Sequence, residues 1–283
     1  MNIVFCSISF RHELVSFQEL IQFAAANRFG GFELWGVHGR SVLQSQAREI
    51  PYRMDQLESL GQQITMLSDY IDLCADPGRE QELVKQWLGM LSMARTFRTR
   101  HIRIFAGNKS ARLAPPEEWE RCMDRLRMLA GIASEQGIVV VVETHSNTYA
   151  DTLDSTLRIL REVNHPQVKV NVDFLHLWEA GENPIDCLLQ LKAYTVNYHL
   201  KNVASLSQAG IFAPGNVFSP SGIRMGMTPL EEGAIDYPAI LSCLAEENTP
   251  HPLALEWFGP EPVYYLRAER EWLGSWAKET MLS

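Results

Sequence analysis

The sequence predicts an α/β fold, a single (β/α)8 TIM barrel spanning residues 1–283, and three observations carry that prediction. Short runs rich in β-branched and aromatic residues alternate eight times with stretches of helical periodicity. One run, Ile138–Val142, is apolar without alternation, as in a parallel strand buried on both faces, and it stops abruptly at Glu143-Thr144-His145. A chain of 283 residues that is 46% hydrophobic can bury a barrel-sized core. A doubly wound open sheet would use the same alternation and is the competing arrangement.

In order, Ile3–Ser9 reads as the first strand. Ser16–Asn27 is the first helix, with Ser16 as N-cap and apolar Phe17, Leu20, Ile21, Phe23 and Ala24 at helical spacing before Gly30-Gly31. Phe32–Trp35 is the second strand, then a polar loop, then a helix over Arg48–Leu60 closed by Gly61. Ile64–Ser68 and His101–Phe105 are the third and fourth strands, separated by a helix over Glu80–Phe97. Pro115-Pro116-Glu117-Glu118 opens a helix reaching Gln136, since a helix start tolerates proline and favours acids. A helix over Thr152–Val163 leads to the sixth strand, Val168–Asp173, and a helix over Pro184–Leu191 to the seventh, Thr195–His199. The Gly, Pro and Ser-rich connection from Ala204 to Gly233 is long enough to suggest a functional loop. Tyr237–Glu246, the strand Leu253–Trp257 and a helix from Pro262 complete the count.

Composition narrows the function. With 34 acidic and 25 basic residues the net charge is −9, which disfavours nonspecific nucleic-acid binding. No apolar run approaches membrane-spanning length and the N-terminus lacks signal-peptide character, so the expectation is a cytoplasmic protein with neither membrane nor nucleic-acid partner. The five scattered cysteines form no Cys-x-x-Cys pair and read as reduced thiols.

In a barrel, the C-terminal strand ends share one mouth, where such enzymes place their chemistry. Glu33, Asp69, Arg103, Glu143, His145, Asp173, His199, Lys201 and Glu256 would all gather there. Glu143, Asp173 and Glu256 would repel if ionised together, and one divalent cation is the simplest remedy. With His199 they offer three oxygen ligands and one nitrogen ligand, suited to Mn²⁺, Mg²⁺ or Co²⁺ and compatible with Zn²⁺. Separate ion pairs at the strand ends are the structural alternative. While strand geometry persists, Glu143 and His145 point into the same volume.

This Glu, Asp, His, Glu series resembles the single-metal pattern of the xylose isomerase-like superfamily of sugar isomerases, epimerases and apurinic endonucleases. The segments Cys6–His12, Phe32–Gly36, Ser68–Tyr70, Arg103–Gly107, Glu143–Asn147, Asp173–Glu179 and Leu255–Gly259 resemble, in order and spacing, the 3-dehydroshikimate dehydratases of petrobactin siderophore biosynthesis. The resemblance implies metal-dependent dehydration of 3-dehydroshikimate to protocatechuate. Glu143, Asp173, His199 and Glu256 would hold the metal. His145 would be the general base, with His176 assisting the departing hydroxyl or binding substrate. Arg103 and Lys201 would meet the substrate carboxylate, and Tyr70 and Trp178 would be walls for its ring. Phe218, with Phe212 and Asn216, would sit on a covering loop, and Glu33 would position an arginine or histidine neighbour. Arg103 could instead pair with Asp69, and Trp178 could be core. The partner is thus a small carboxylate, while the oligomeric state is left open between monomer and homodimer. A sugar or inositol isomerase or epimerase of the same superfamily, a Schiff-base enzyme at Lys201 and a noncatalytic binding barrel are the alternatives.

Overall fold

The computed structural model describes residues 1–282, with side-chain surroundings through Lys278. Strands β1 (Asn2–Cys6), β2 (Gly31–Trp35), β3 (Gln63–Ser68), β4 (His101–Ile104), β5 (Val139–Glu143), β6 (Val168–Asp173), β7 (Thr195–Leu200) and β8 (Pro252–Leu255) close into a barrel in which β1 pairs with both β2 and β8. All eight pairings are parallel. Val140, Val141 and Val142 are buried, as a strand covered on both faces must be. At the closure, Phe5 stacks on Phe32 and meets Phe10, Phe23 and Phe29 edge-on, so a packed aromatic cluster joins β1 and β2 to the first helix, Phe17–Ala26. Ser16 caps that helix in a capping box with Glu19.

Most element bounds agree with the sequence reading to within a few residues, and the departures have physical causes. β1 stops at Cys6 because Ser7–Phe10 turns into a 3-10 helix whose Ser7 and Ser9 hydroxyls accept the backbone N–H groups of Trp35 and Trp257. The expected loop after β2 is a helix, Gly36–Gln46, followed by Ile50–Ser59. Its two buried glycines permit close approach: a Cβ at Gly36 would collide with the Asp69 carboxyl, and Gly39 lies against Met93. A further helix, Phe174–Glu179, follows β6 directly. The 204–233 connection carries 3-10 turns at Leu206–Phe212 and Leu230–Glu232 and a helical turn at Pro214–Val217. A two-stranded ribbon, Asn202–Val203 against Met227–Thr228, closes its base.

Among the described residues, no helix is long and apolar enough to cross a membrane. The five cysteines are free thiols.

Candidate active site and metal centre

The four ligand candidates converge. Glu143 ends β5, Asp173 ends β6, His199 lies near the end of β7 and Glu256 follows β8, and one donor atom from each lies within 4.8 Å of all the others. The register shift between Val170 and Asn171 sets Asp173 opposite His199. Thr144 joins two of these strand ends, since its hydroxyl accepts from the Asp173 N–H at 2.8 Å. Asp173 Oδ1 caps the Phe174–Glu179 helix by accepting from Leu175 and His176 N–H groups, so Oδ2 is the oxygen left facing the cluster.

His199 Nδ1 stands 3.0 Å from Glu143 Oε1, 3.4 Å from Glu256 Oε2 and 3.6 Å from Asp173 Oδ2. Its other nitrogen, Nε2, lies 3.0 Å from Glu33 Oε2, and Glu33 also accepts from Asn197 at 2.7 Å and Ser68 at 3.2 Å. Burial would lower the His199 pKa, but Glu256, Glu33 and Glu143 raise it well above the usual imidazole value, and with Glu33 on Nε2–H it is Nδ1 that is turned toward the carboxylates, the nitrogen that would give up its proton to a metal. Asp173 Oδ2 and Glu143 Oε2 are buried, and each is met by a protein cation, Lys201 and Arg103, so this donor set is one that requires positive charge beside it.

The surrounding cations set the charge balance. Lys201 Nζ lies 2.5 Å from Asp173 Oδ2 and 2.6 Å from Glu256 Oε2, and Arg103 Nε lies 2.9 Å from Glu143 Oε2. Burial alone would raise the Glu143 carboxyl, but Arg103 and His199 outweigh it and hold its pKa far below the usual carboxylate range. Asp173 is held down against burial by Lys201, His176 and His199. Burial would lower Lys201, and Asp173 and Glu256 raise it instead. Ionised carboxylates are what a metal needs.

Above the cluster opens a cavity of about 270 Å³, lined by Tyr70, Arg103, His145, His176, Lys201 and Phe218 from the residues named in the sequence reading, together with Glu143 and Glu256. His145 lies beyond the end of β5, yet the turn through Asn147 (φ 58°) keeps it on the cavity. Its Nδ1 is 2.7 Å from Ser146 O, and its ring lies 3.8 Å, centroid to centroid, from that of His176. Burial, followed by the charge of His176, pushes the His145 pKa down to about 3, so its ring is neutral at pH 7. Arg103 spans the Tyr70 and Phe105 rings, with Cζ 5.2 Å and 4.8 Å from their centroids, and its buried Nη1 has no hydrogen-bond partner. Arg103 pairs with Glu143 and not with Asp69, whose carboxylate is taken by Arg40.

Trp178 is corrected: it does not line the cavity but packs half-buried against the core. A helix starts at Phe174, and two residues on a helix point about 200° apart, so His176 facing the cavity turns Trp178 away. Phe212 and Phe218 form the cover, Phe218 stacked on Trp35 at 5.9 Å, whereas Asn216 bonds within its own loop to Ile211 O and Ile223 O. Arg11 holds this cover down through Val217 O and Phe258 O, each at 2.7 Å. The sequence reading gave no role to Ile8, Phe105, Pro214, Val217 or Phe258, which complete the lining, or to Glu179, whose Oε1 is 2.7 Å from His176 Nδ1. The signal for Glu179 was its helical i,i+3 spacing from His176.

Residues 21–276 match the family model described as xylose isomerase-like TIM barrel. The chain is 39% identical over 270 residues, 95% of each protein, to the 3-dehydroshikimate dehydratase of Bacillus anthracis. A crystal structure described as the probable 3-DHS dehydratase AsbF involved in petrobactin synthesis from that organism superposes with a TM-score of 0.93 at 37% identity, covering 97% of this chain and 99% of that one. An inosose dehydratase of Clostridium botulinum is 27% identical over 141 residues, 50% of this chain and 47% of that protein. The IolI protein with a binding zinc atom shares the fold, at a TM-score of 0.74, 18% identity and coverage of 100% of this chain and 97% of that one. This chain belongs to the xylose isomerase-like TIM barrel family.

Proposed function

We propose that this protein dehydrates 3-dehydroshikimate to protocatechuate with a single divalent metal ion held by Glu143, Asp173, His199 and Glu256. What carries the reading is the near-full-length likeness to the Bacillus anthracis dehydratase. It is supported by the four converging ligand residues, three of them carboxylates buried at one point of the barrel mouth. The donor set fits Mn²⁺, Mg²⁺, Co²⁺ or Zn²⁺. When bound, such an ion supplies Lewis-acid stabilisation of the negative charge that builds on the ring ketone oxygen.

The chain's own residues do the rest. Arg103 has Nε committed to Glu143 and Nη1 free, so it can meet the substrate carboxylate without giving up its partner. Lys201 is the second cation at the cavity. Tyr70 and Phe105, both against Arg103, flank a flat ring. His145 directs Nδ1–H at Ser146 O, which leaves its Nε2 lone pair to take the proton next to the ketone. The proton taken by His145 leaves on the β-hydroxyl as the C–O bond breaks, with His176 Nε2 accepting from a substrate hydroxyl; one water departs, and tautomerisation of the resulting dienone makes the ring aromatic. Phe212 and Phe218 at the cavity limit access of bulk water to this exchange.

The test offers 3-dehydroshikimate and a panel of neutral ketoses, inososes included, to the same metal-loaded preparation. Growth of catechol ultraviolet absorption from 3-dehydroshikimate alone is expected. Turnover of ketoses with 3-dehydroshikimate untouched would replace this reading with the isomerase or inosose-dehydratase alternative.

A further inference from the structure

The two imidazoles at the cavity are tied differently. His145 Nδ1 meets a neutral backbone carbonyl, Ser146 O at 2.7 Å, whereas His176 Nδ1 meets a side-chain carboxylate, Glu179 Oε1, also at 2.7 Å. The other neighbour of His176 Nδ1, Ser146 Oγ, is 3.5 Å away and could donate as readily as accept, so it would leave the ring's tautomer open. The His176 side chain is 2% exposed and that of Glu179 is 16% exposed, so little water competes for this bond. The geometry of the short helix makes it possible: residues three apart lie on one face, and Asp173 fixes the helix start by capping it.

From this geometry we infer that Glu179 is a positioning residue for the reaction proposed above: it holds His176 as the Nδ1–H tautomer and directs Nε2 into the cavity. The inference rests on the dehydratase reading for its kinetic consequence but not for its structural one. Nε2 faces Asp173 Oδ2 at 3.8 Å, on the side where the ligand atoms gather. The neighbouring His145 ring, 3.8 Å away at 39°, limits rotation of the imidazole out of that orientation. Two constraints therefore act on one ring, one on its plane and one on which nitrogen carries the proton. Without Glu179 the plane would still be held by packing, but both tautomers would be populated, and a fraction of molecules would present the wrong nitrogen to substrate. Glu179 is neither a lining residue of the cavity nor one of the four ligand candidates, so its effect on substrate passes through His176.

The experiment combines kinetics with a direct view of the ring. For Glu179→Ala, kcat for protocatechuate formation is expected to fall about 10- to 100-fold, with KM and metal content within about twofold of the parent protein. Glu179→Gln, whose amide oxygen still accepts from Nδ1–H, should recover most of that loss. In a His176→Asn background the Glu179→Ala change should cost less than about twofold more, because the group it positions is gone. Long-range ¹H–¹⁵N spectra of the parent protein should show His176 as the Nδ1–H tautomer, and those of Glu179→Ala a mixture. An Nε2–H tautomer in the parent, an unchanged kcat in Glu179→Ala, or an equal loss in both backgrounds would overturn the role of Glu179. A parent protein that leaves 3-dehydroshikimate untouched counts against the substrate reading instead, and the spectra still decide on Glu179.

Discussion

Strands β5 to β8 and strands β1 to β4 contribute to the same mouth in different ways. Each of β5 to β8 brings a ligand candidate to its C-terminal end, Glu143, Asp173, His199 and Glu256 in turn, and these side chains are buried and face one another. The ends of β1 to β4 bring mostly walls: Ile8, Tyr70 and Phe105 line the cavity, and Trp35 supports Phe218. Glu33 and Arg103 are the exceptions, and both reach across to the other half, Glu33 to His199 and Arg103 to Glu143. The difference separates tolerance from intolerance. A ligand must place one atom within a few tenths of an ångström, whereas a wall needs only shape and apolar surface.

The comparison breaks most sharply when a ligand is removed. Glu143→Gln, Asp173→Asn, His199→Ala and Glu256→Gln should each lower turnover about 10⁴-fold or more and lose the metal on dialysis, measured by elemental analysis beside the catechol assay. His145→Ala should keep the metal yet lose about 10²- to 10⁴-fold in kcat; near-parental turnover would move the base role to His176. Arg103→Ala should cost about 2–3 kcal/mol in kcat/KM, because it removes the substrate's carboxylate partner and leaves Glu143 without its guanidinium. A wall substitution, Phe105→Leu, should cost only about 1 kcal/mol in the same assay, and an effect as large as that of Arg103→Ala would erase the distinction between the two halves.

The cover supplies a pH test at smaller scale. Glu269 accepts from Leu230 N–H at 3.0 Å, and burial, followed by Glu231 and Glu232, pushes its pKa up to about 7 from 4.5. Between those values the unfolded chain binds fewer protons than the native one, so stability falls as pH rises through that window. Glu269→Gln keeps an acceptor without the charge. It should raise stability by on the order of 1 kcal/mol at pH 8 and by nothing measurable at pH 4, as read by urea denaturation. A gain of equal size at both pH values would remove the titration argument.

The barrel was readable because its strands carry β-branched runs that end in polar residues, a pattern independent of contacts. The gathering of Glu143, Asp173, His199 and Glu256 was readable for the same reason, since a parallel barrel gives every C-terminal strand end one address. Trp178 was open between ring wall and core, and the helix that begins directly after Asp173 decides for the core, which only recognition of that helix would have shown. Glu179 escaped notice for the complementary reason: its pairing with His176 has helical spacing, visible only when that helix is recognised. The Gly36–Gln46 helix was hidden by its glycines, poor helix formers whose value lies in close packing against Asp69 and Met93. Lys201 lines the cavity, and its ammonium also rests on Asp173 and Glu256, a partnership across three strand ends that local sequence does not encode. The fold of the 204–233 cover depends on distant anchors such as Arg11 and Glu269, so its composition alone marked it as a loop.

The central claim is that the β5 to β8 cluster works through one divalent ion, and the most direct measurement is reconstitution. The protein is stripped with a chelator, shown by elemental analysis to be metal-free, and titrated with Mn²⁺, Mg²⁺, Co²⁺ and Zn²⁺ separately while protocatechuate formation is followed. The account predicts no turnover in the stripped protein and recovery that saturates at one ion per chain for at least one of the four metals. Full turnover of 3-dehydroshikimate by demonstrably metal-free protein would contradict it.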